Sequence, residues 1–209
     1  MKIAFLTSKE SWLYKNKQKL LSHFNYDMIR IFSDPKKVSK SFDYTFVLSY
    51  YKKINEKAFK NKSFFVIHES NLPENRGFSP LYWQILKGKS KITYSIFLID
   101  KKIDSGEIVY KKSFFFPKNI LYEEIKNLQL NNAIKIIKEF LKKGKKKYKI
   151  NKIKNTYLKK RTPKDSKIQI NKSLKSQIDL LRICSNEKFP AYFFYKKKIF
   201  ILKIFNITK

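Results

Sequence analysis

The chain has 209 residues, 43% of them hydrophobic, which is enough for one sizeable core with a small appended module and excludes a wholly disordered chain despite a formal net charge of +32. That charge, 48 basic against 16 acidic residues, is carried almost entirely by lysine. Dense lysine suits phosphates or an anionic membrane surface, but the joint abundance of Lys, Ile, Asn and Phe is also what a codon bias toward A and T leaves behind. One cysteine, Cys184, excludes an internal disulfide framework and a multi-cysteine zinc site, and with only His23 and His68 no metal site is expected.

In chain order, "KIAFLT" is a compact apolar run that reads as a buried first strand rather than a secretion signal. "SWLYKNKQKLLSHF" then sets Trp12, Leu13, Leu20, Leu21 and Phe24 at near-helical spacing. "YDMIRIFS", "DYTFVLSY" and "SFFVIHES" predict three strands, with Pro35 marking a turn between the first two. Strands alternating with helices imply an α/β fold with a mostly parallel sheet, in which ligands gather at the strands' carboxyl ends. "SPLYWQILKG" predicts a short helix capped by Ser79, with Pro80 first and Gly88 at its exit. "KITYSIFLI" and "EIVYKKSFFF" predict two strands around "DKKIDSGE", a loop with Gly106 at its tight turn. Residues 121–141 carry the apolar spacing of a long amphipathic helix.

The predicted organisation is a first domain over 1–142, a lysine-rich solvated linker over 143–156, and a small C-terminal α+β module over 157–209. In that module the spacing predicts an extended "RTPKDSKIQI", a helical "SLKSQIDLLRI" and two aromatic strands, "AYFFY" and "IFILKIF". Residues 149–209 hold 17 basic and 3 acidic residues, so this stretch is denser in positive charge than the rest. No stretch approaches the roughly 18 apolar residues needed to span a bilayer. The expectation is a soluble, cytoplasmic protein without a membrane partner.

Most motif matches dissolve on inspection. "LKGKS" has Trp83 where a phosphate-binding loop needs its first glycine. Cys184 reads as a buried small hydrophobe and His23 as a structural or exposed residue. The cluster "HESNLPENRG" differs, because His68 ends a strand and Asp104 lies in a separate tight loop, so the two make a candidate acid/base pair.

"HESNLPENRG…SPLYW", "KGKSKIT" and "IDSGEIV" resemble the signature of the 10-formyltetrahydrofolate-dependent formyltransferases, whose motif runs His-x-Ser-x-Leu-Pro-x-x-Arg-Gly and ends at an aspartate beside a glycine. His68 and Asp104 are 36 residues apart, as in that family. "LSYYKKI" and "KKRTPKDSKI…LLRI…FPAYF" resemble the branch that formylates amino groups on nucleotide-linked sugars, and the likeness runs from about Asp43 to Ile204. Two features depart from the pattern. Val66 stands where the family has an asparagine two residues before the histidine, and the part before "TFVLSYY" is shorter, as if one strand-helix unit were missing.

The resemblance implies a Rossmann-like catalytic domain, 10-formyltetrahydrofolate as co-substrate and a nucleotide-linked amino sugar as acceptor. Carried over, it makes His68 the polariser of the formyl group and Asp104 its partner. It places the pterin between Tyr50, Tyr51 and Ile54 on one wall and Leu98, Ile99 and Asp100 on the other. Ser70, Asn71, Arg76, Gly77 and Arg161 are the candidates at the acceptor, with Arg161 equally able to dock the tail. Three alternatives stay open: methionyl-tRNA as acceptor, a non-catalytic folate or nucleotide-sugar binder, and a homo-oligomer built on the aromatic terminus.

Overall fold

The protein is described here from a computed structural model, which covers residues 1–60, 63–101, 104–148 and 156–207. The chain opens with strand β1 (Lys2–Leu6), helices α1 (Trp12–Lys15) and α2 (Lys17–Leu21), strand β2 (Met28–Phe32), strand β3 (Tyr44–Val47), helix α3 (Glu56–Phe59) and strand β4 (Phe64–His68). A two-residue strand β5 (Arg76–Gly77), helix α4 (Pro80–Leu86), strands β6 (Lys91–Leu98) and β7 (Ile108–Phe115), and helix α5 (Tyr122–Lys143) follow. The tail adds β8 (Tyr157–Leu158), α6 (Leu174–Leu181), β9 (Ala191–Tyr195) and β10 (Lys198–Leu202).

Six strands form one sheet in the order β2-β1-β3-β4-β6-β7. The first four run parallel, while β6 lies antiparallel to both β4 and β7. Residues 3–6 of β1 have no solvent exposure, which is why this segment reads as an unbroken apolar run. The chain moves from β1 outward to β2 and then crosses back to β3, so the loops after β1 and β3 leave in opposite directions. A crevice opens at such a reversal.

One face of the sheet is covered by α5, whose Phe140 ring sits 5.1 Å from Phe65, 6.0 Å from Tyr44 and 6.1 Å from both Phe46 and Tyr110. The opposite face holds a second cluster with Ala4, Leu6, Val47 and Phe64 packed against Phe42, Ile54 and Ala58. The Glu124 carboxylate accepts from the Leu121 N–H at 2.9 Å and so closes the start of α5.

Several local expectations are corrected. The single helix expected over 11–24 breaks at Asn16, whose side-chain amide donates to the Trp12 carbonyl at 2.9 Å and competes with the helical ladder. The turn expected at Pro35 between β2 and β3 is present, as a 3-10 turn over Pro35–Lys37. Ser79 precedes α4 but makes no capping bond, because its backbone is left-handed (φ 53°). "RTPKDSKIQI" is not simply extended: Pro163–Ser166 forms a 3-10 turn, with Asp165 accepting from the Thr162 N–H at 2.8 Å. Residues 149–155 of the expected linker lie outside the described residues, and before them the Lys146 N–H donates to the Val109 carbonyl at 2.8 Å.

Gly106 is needed for a different reason than a tight turn. Among the described residues of its loop the left-handed one is Asp104 (φ 51°), whereas a Cβ on Gly106 would stand 1.6 Å from the Leu98 carbonyl oxygen. The glycine lets the loop after β6 press onto the strand it has just left. Gly106→Ala should therefore lower stability by about 3 kcal/mol, read as a reduced urea midpoint with the slope unchanged.

Candidate active site

Strand β4 alternates strictly. Phe65 and Ile67 enter the core beneath α5, while Phe64, Val66 and His68 face the other way. His68 is therefore the last side chain of a buried row, and it comes to rest edge-on to Phe97, with ring centroids 6.5 Å apart. Its ring is only 8% exposed.

Both ring nitrogens face acceptors. Nε2 lies 3.0 Å from the Asn75 carbonyl oxygen, which can only accept, so this nitrogen carries the proton. Nδ1 faces the Asp104 carboxylate, with Oδ2 at 3.9 Å, and that carboxylate is itself 13% exposed. The same Oδ2 accepts from the Gly77 N–H at 2.8 Å, which fixes the carboxylate's direction. Two residues 36 apart in sequence thus meet because the β6–β7 loop folds back toward the end of β4.

The loop after His68 is held by residues with no motif of their own. Ser95 Oγ donates to the Ser70 carbonyl at 2.7 Å and accepts from the Leu72 N–H at 3.3 Å. Gln84 Nε2 donates to the Glu69 carbonyl at 2.6 Å. Lys111 Nζ, reaching over from β7, donates to Asn71 Oδ1 at 2.8 Å and to the Leu72 carbonyl at 2.6 Å, and burial pushes its ammonium down from the ordinary lysine value against the opposing charge of Glu74. Thr156 accepts from the Asn75 N–H through Oγ1 and from the Arg76 N–H through its carbonyl, each at 2.9 Å. No spacing rule reaches these contacts, since each joins segments at least 15 residues apart.

The acceptor candidates separate on inspection. Gly77 (φ 96°) lies where β5 pairs with β8, and a Cβ there would stand 2.5 Å from the Leu158 carbonyl oxygen. Arg76 beside it is half-buried, and its Nε is buried without a hydrogen-bond partner among the described residues. Asn71 is half-buried and tied to Lys111. Ser70 and Arg161 both point inward. Ser70 is fully buried and its hydroxyl donates to the Glu74 carbonyl at 2.8 Å, while Arg161 is turned into the tail, donating to the Ile183 carbonyl at 2.7 Å and to Ser166 Oγ at 2.9 Å.

The residues expected at the folate separate as well. Tyr50, Ile54 and Ile99 join one apolar cluster from two facing loops, and Lys101 crosses between those loops to Glu56 at 3.1 Å. Tyr51 takes the other flank, near Glu69, Tyr122 and Lys126, and its backbone N–H donates to Ser8 Oγ at 2.9 Å. Leu98 packs against the main core and Asp100 is exposed. Tyr50, Ile54 and Ile99 thus bring apolar surface from both loops to one place. Val66 packs with Leu72, Phe97 and Ile108 on the same side of β4 as His68, so the family's asparagine position faces the site and is filled here by an apolar side chain.

A Rossmann-like α/β domain with a buried histidine–carboxylate pair at the end of a central strand defines the class. No family model matches the chain. By sequence it is 34% identical over 71 residues to the methionyl-tRNA formyltransferase of Rickettsia rickettsii (strain Iowa), a match covering 34% of this chain and 23% of that protein. The matched stretches span no more than 25% of the curated relatives' own length. By structure it is similar to a methionyl-tRNA formyltransferase from Clostridium thermocellum (TM-score 0.74, 24% identity, 95% of this chain and 90% of that one). A sugar N-formyltransferase from Shewanella sp. FDAARGOS_354 superposes with TM-score 0.66 and 17% identity over the whole of both chains. HypX from Aquifex aeolicus, solved in complex with tetrahydrofolic acid, gives TM-score 0.73 and 15% identity over 97% of this chain and 37% of that one. Over part of its sequence and over nearly all of its fold, the chain is similar to formyltransferases.

Lys111 is the residue on which the loop geometry can be tested. Lys111→Met keeps most of the unbranched apolar stem but leaves Asn71 Oδ1 and the Leu72 carbonyl without their donor, which should cost about 2 kcal/mol. Urea unfolding reads that loss, and faster amide exchange confined to residues 69–77 would mark it as loss of the loop anchor.

Proposed function

We propose that the protein transfers a formyl group from 10-formyltetrahydrofolate to the amine of a nucleotide-linked amino sugar in the cytoplasm. The observation that carries this reading is the His68–Asp104 pair, with the Asp104 carboxylate oriented by the Gly77 N–H. The likeness to a sugar N-formyltransferase over the full length of both chains supports the sugar branch. The folate supplies an activated formyl carbon. The apolar wall of Tyr50, Ile54 and Ile99 holds its ring system, and Arg76 and Asn71 border the side from which the acceptor enters.

The new bond joins the acceptor nitrogen to the formyl carbon, and the bond from that carbon to the folate nitrogen breaks. His68 directs its Nε2–H to the formyl oxygen, exchanging the Asn75 carbonyl for the charge that develops there. Asp104 balances the cationic imidazole and, with its second oxygen, takes the proton that the amine sheds before it returns to the leaving nitrogen. Electrostatic help of this kind is strongest where water is excluded, as around a ring that is only 8% exposed.

The test incubates the protein with 10-formyltetrahydrofolate and a panel of UDP- and dTDP-linked amino sugars, with methionyl-tRNA in parallel, and follows the added formyl mass. His68→Ala and Asp104→Asn should each lower kcat by about 100-fold or more on a sugar acceptor while leaving thermal unfolding in place. Full activity in both variants would remove these residues from the chemistry. The sequence match to a methionyl-tRNA formyltransferase and the basic tail favour a second reading, in which tRNA is the acceptor; formylation of methionyl-tRNA alone, weakened steeply by salt, would establish it. Folate binding without transfer to either acceptor would make the protein a binder.

Val66 offers a separate measurement. Val66→Asn introduces an amide on the His68 side of β4 and should raise kcat by about tenfold, at a stability cost of about 1–3 kcal/mol from the polar group set among Leu72, Phe97 and Ile108. Unchanged or lower turnover would mean that another donor already serves the formyl oxygen.

A further inference from the structure

A cavity of about 480 Å³ opens beyond the carboxyl ends of β1, β2 and β3. No α-helix covers it, because residues 33–43, which return the chain from β2 to β3, hold a 3-10 turn instead. Neither His68, Asp104 nor the loop over 69–77 lines it. Ligands of open α/β sheets gather at such strand ends, and the volume is that of a small-molecule site.

The lining joins three kinds of surface. Half-buried Ile31, Phe32 and Tyr50 are apolar, while Lys9, Lys37 and Lys52 are exposed cations with no ion pair among the described residues. Glu10 and Asp34 complete it, and both act on the Tyr50 hydroxyl, whose pKa is pushed up first by burial and then by the charges of Asp34 and Glu10. Asp34 is held in place, since its Oδ1 accepts from the Lys36 N–H at 2.9 Å; Oδ2 is the oxygen it offers to the cavity. The loop backbone is already engaged: the Thr7 N–H donates to the Phe32 carbonyl at 3.0 Å, the Ser8 N–H to the Ser49 carbonyl at 3.3 Å and the Tyr51 N–H to Ser8 Oγ at 2.9 Å. With no glycine in "TSKES" either, an anion here is held by lysines and not by a phosphate-binding turn.

A ligand that uses all three surfaces carries a flat ring, hydroxyl donors and negative charge. A bare phosphate leaves the apolar surface unused and is repelled by Glu10 and Asp34, and an uncharged sugar leaves the lysines unused. Asp34 also stands two residues past β2, where a carboxylate accepts ribose hydroxyls in doubly wound nucleotide sites. We propose that this crevice binds a free nucleoside diphosphate, with the base against Tyr50 and Phe32, the ribose hydroxyls donating to Asp34, and the phosphates on Lys9, Lys37 and Lys52. It is a second site, because Asn71, Arg76 and Gly77 are not in its lining.

Equilibrium dialysis of the full chain against UDP and ADP, up to about 1 mM, reads the site without any formyl transfer. At least one of the two should bind, and its nucleoside and pyrophosphate should each bind at least about tenfold more weakly. Asp34→Asn keeps the turn, since the amide oxygen still accepts from Lys36, and should weaken the nucleotide about tenfold while leaving pyrophosphate as tight or tighter. Lys52→Gln should weaken both ligands and lower the salt dependence of binding. Should Asp34→Asn unfold, Lys37→Gln at a second exposed position carries the test with Lys52→Gln. The proposal is overturned if neither nucleotide binds, or if pyrophosphate binds as tightly, which would leave charge alone. Affinity unchanged in every variant would place the nucleotide elsewhere, and displacement by an equal concentration of tri-γ-glutamate would give the crevice to the tail of the folate; either result also ends it.

Discussion

The candidate site depends on one crossing point, the backbone of Gly77. Its N–H donates 2.8 Å to the Asp104 carboxylate, and its main chain runs beside Leu158 so closely that no side chain fits between them. Three segments far apart in sequence therefore meet at one residue: the loop after β4, the loop between β6 and β7, and the start of the tail. Neither the orientation of Asp104 nor the reach of the tail survives a bulky residue there. The two-residue pairing of β5 with β8 ties the start of the tail to the loop that follows His68, so residues 156–158 contribute to the site's geometry without supplying a side chain to the histidine–carboxylate pair.

Around that crossing the protein satisfies the loop's polar groups almost wholly from within. Ser70, Ser95, Gln84 and Lys111 close the hydrogen bonds of residues 69–75, which keeps His68 at the end of a rigid, buried strand rather than on a mobile loop. Arg76 is the exception, its buried Nε having no hydrogen-bond partner among the described residues.

The lysine excess is absorbed in a way that composition alone does not reveal. Lys126 lies over Tyr82 and Tyr122, Lys138 over Phe24, Lys159 over Trp83 and Lys167 over Phe194, all between 4.8 and 5.8 Å from the ring centres. Long aliphatic stems cover aromatic surface while the ammonium stays wet, so a chain rich in both residue types hides part of its apolar surface under its own cations.

The sequence by itself determined the strands of the main sheet, the helices α4, α5 and α6, and the pairing of His68 with Asp104, because these rest on local periodicity and on a motif with fixed spacing. The family resemblance added the folate and acceptor walls, of which Tyr50, Ile54 and Ile99 do converge in space. Only the tertiary structure decided that Asn16 breaks the first helix, that Gly106 serves a close approach rather than a turn, and that Ser70 and Arg161 are turned inward. It alone brought Lys111, Ser95 and Thr156 to the loop. Those outcomes depend on contacts between segments distant along the chain, where the partner of a polar atom is chosen by packing, and no pattern in the neighbouring residues records that choice.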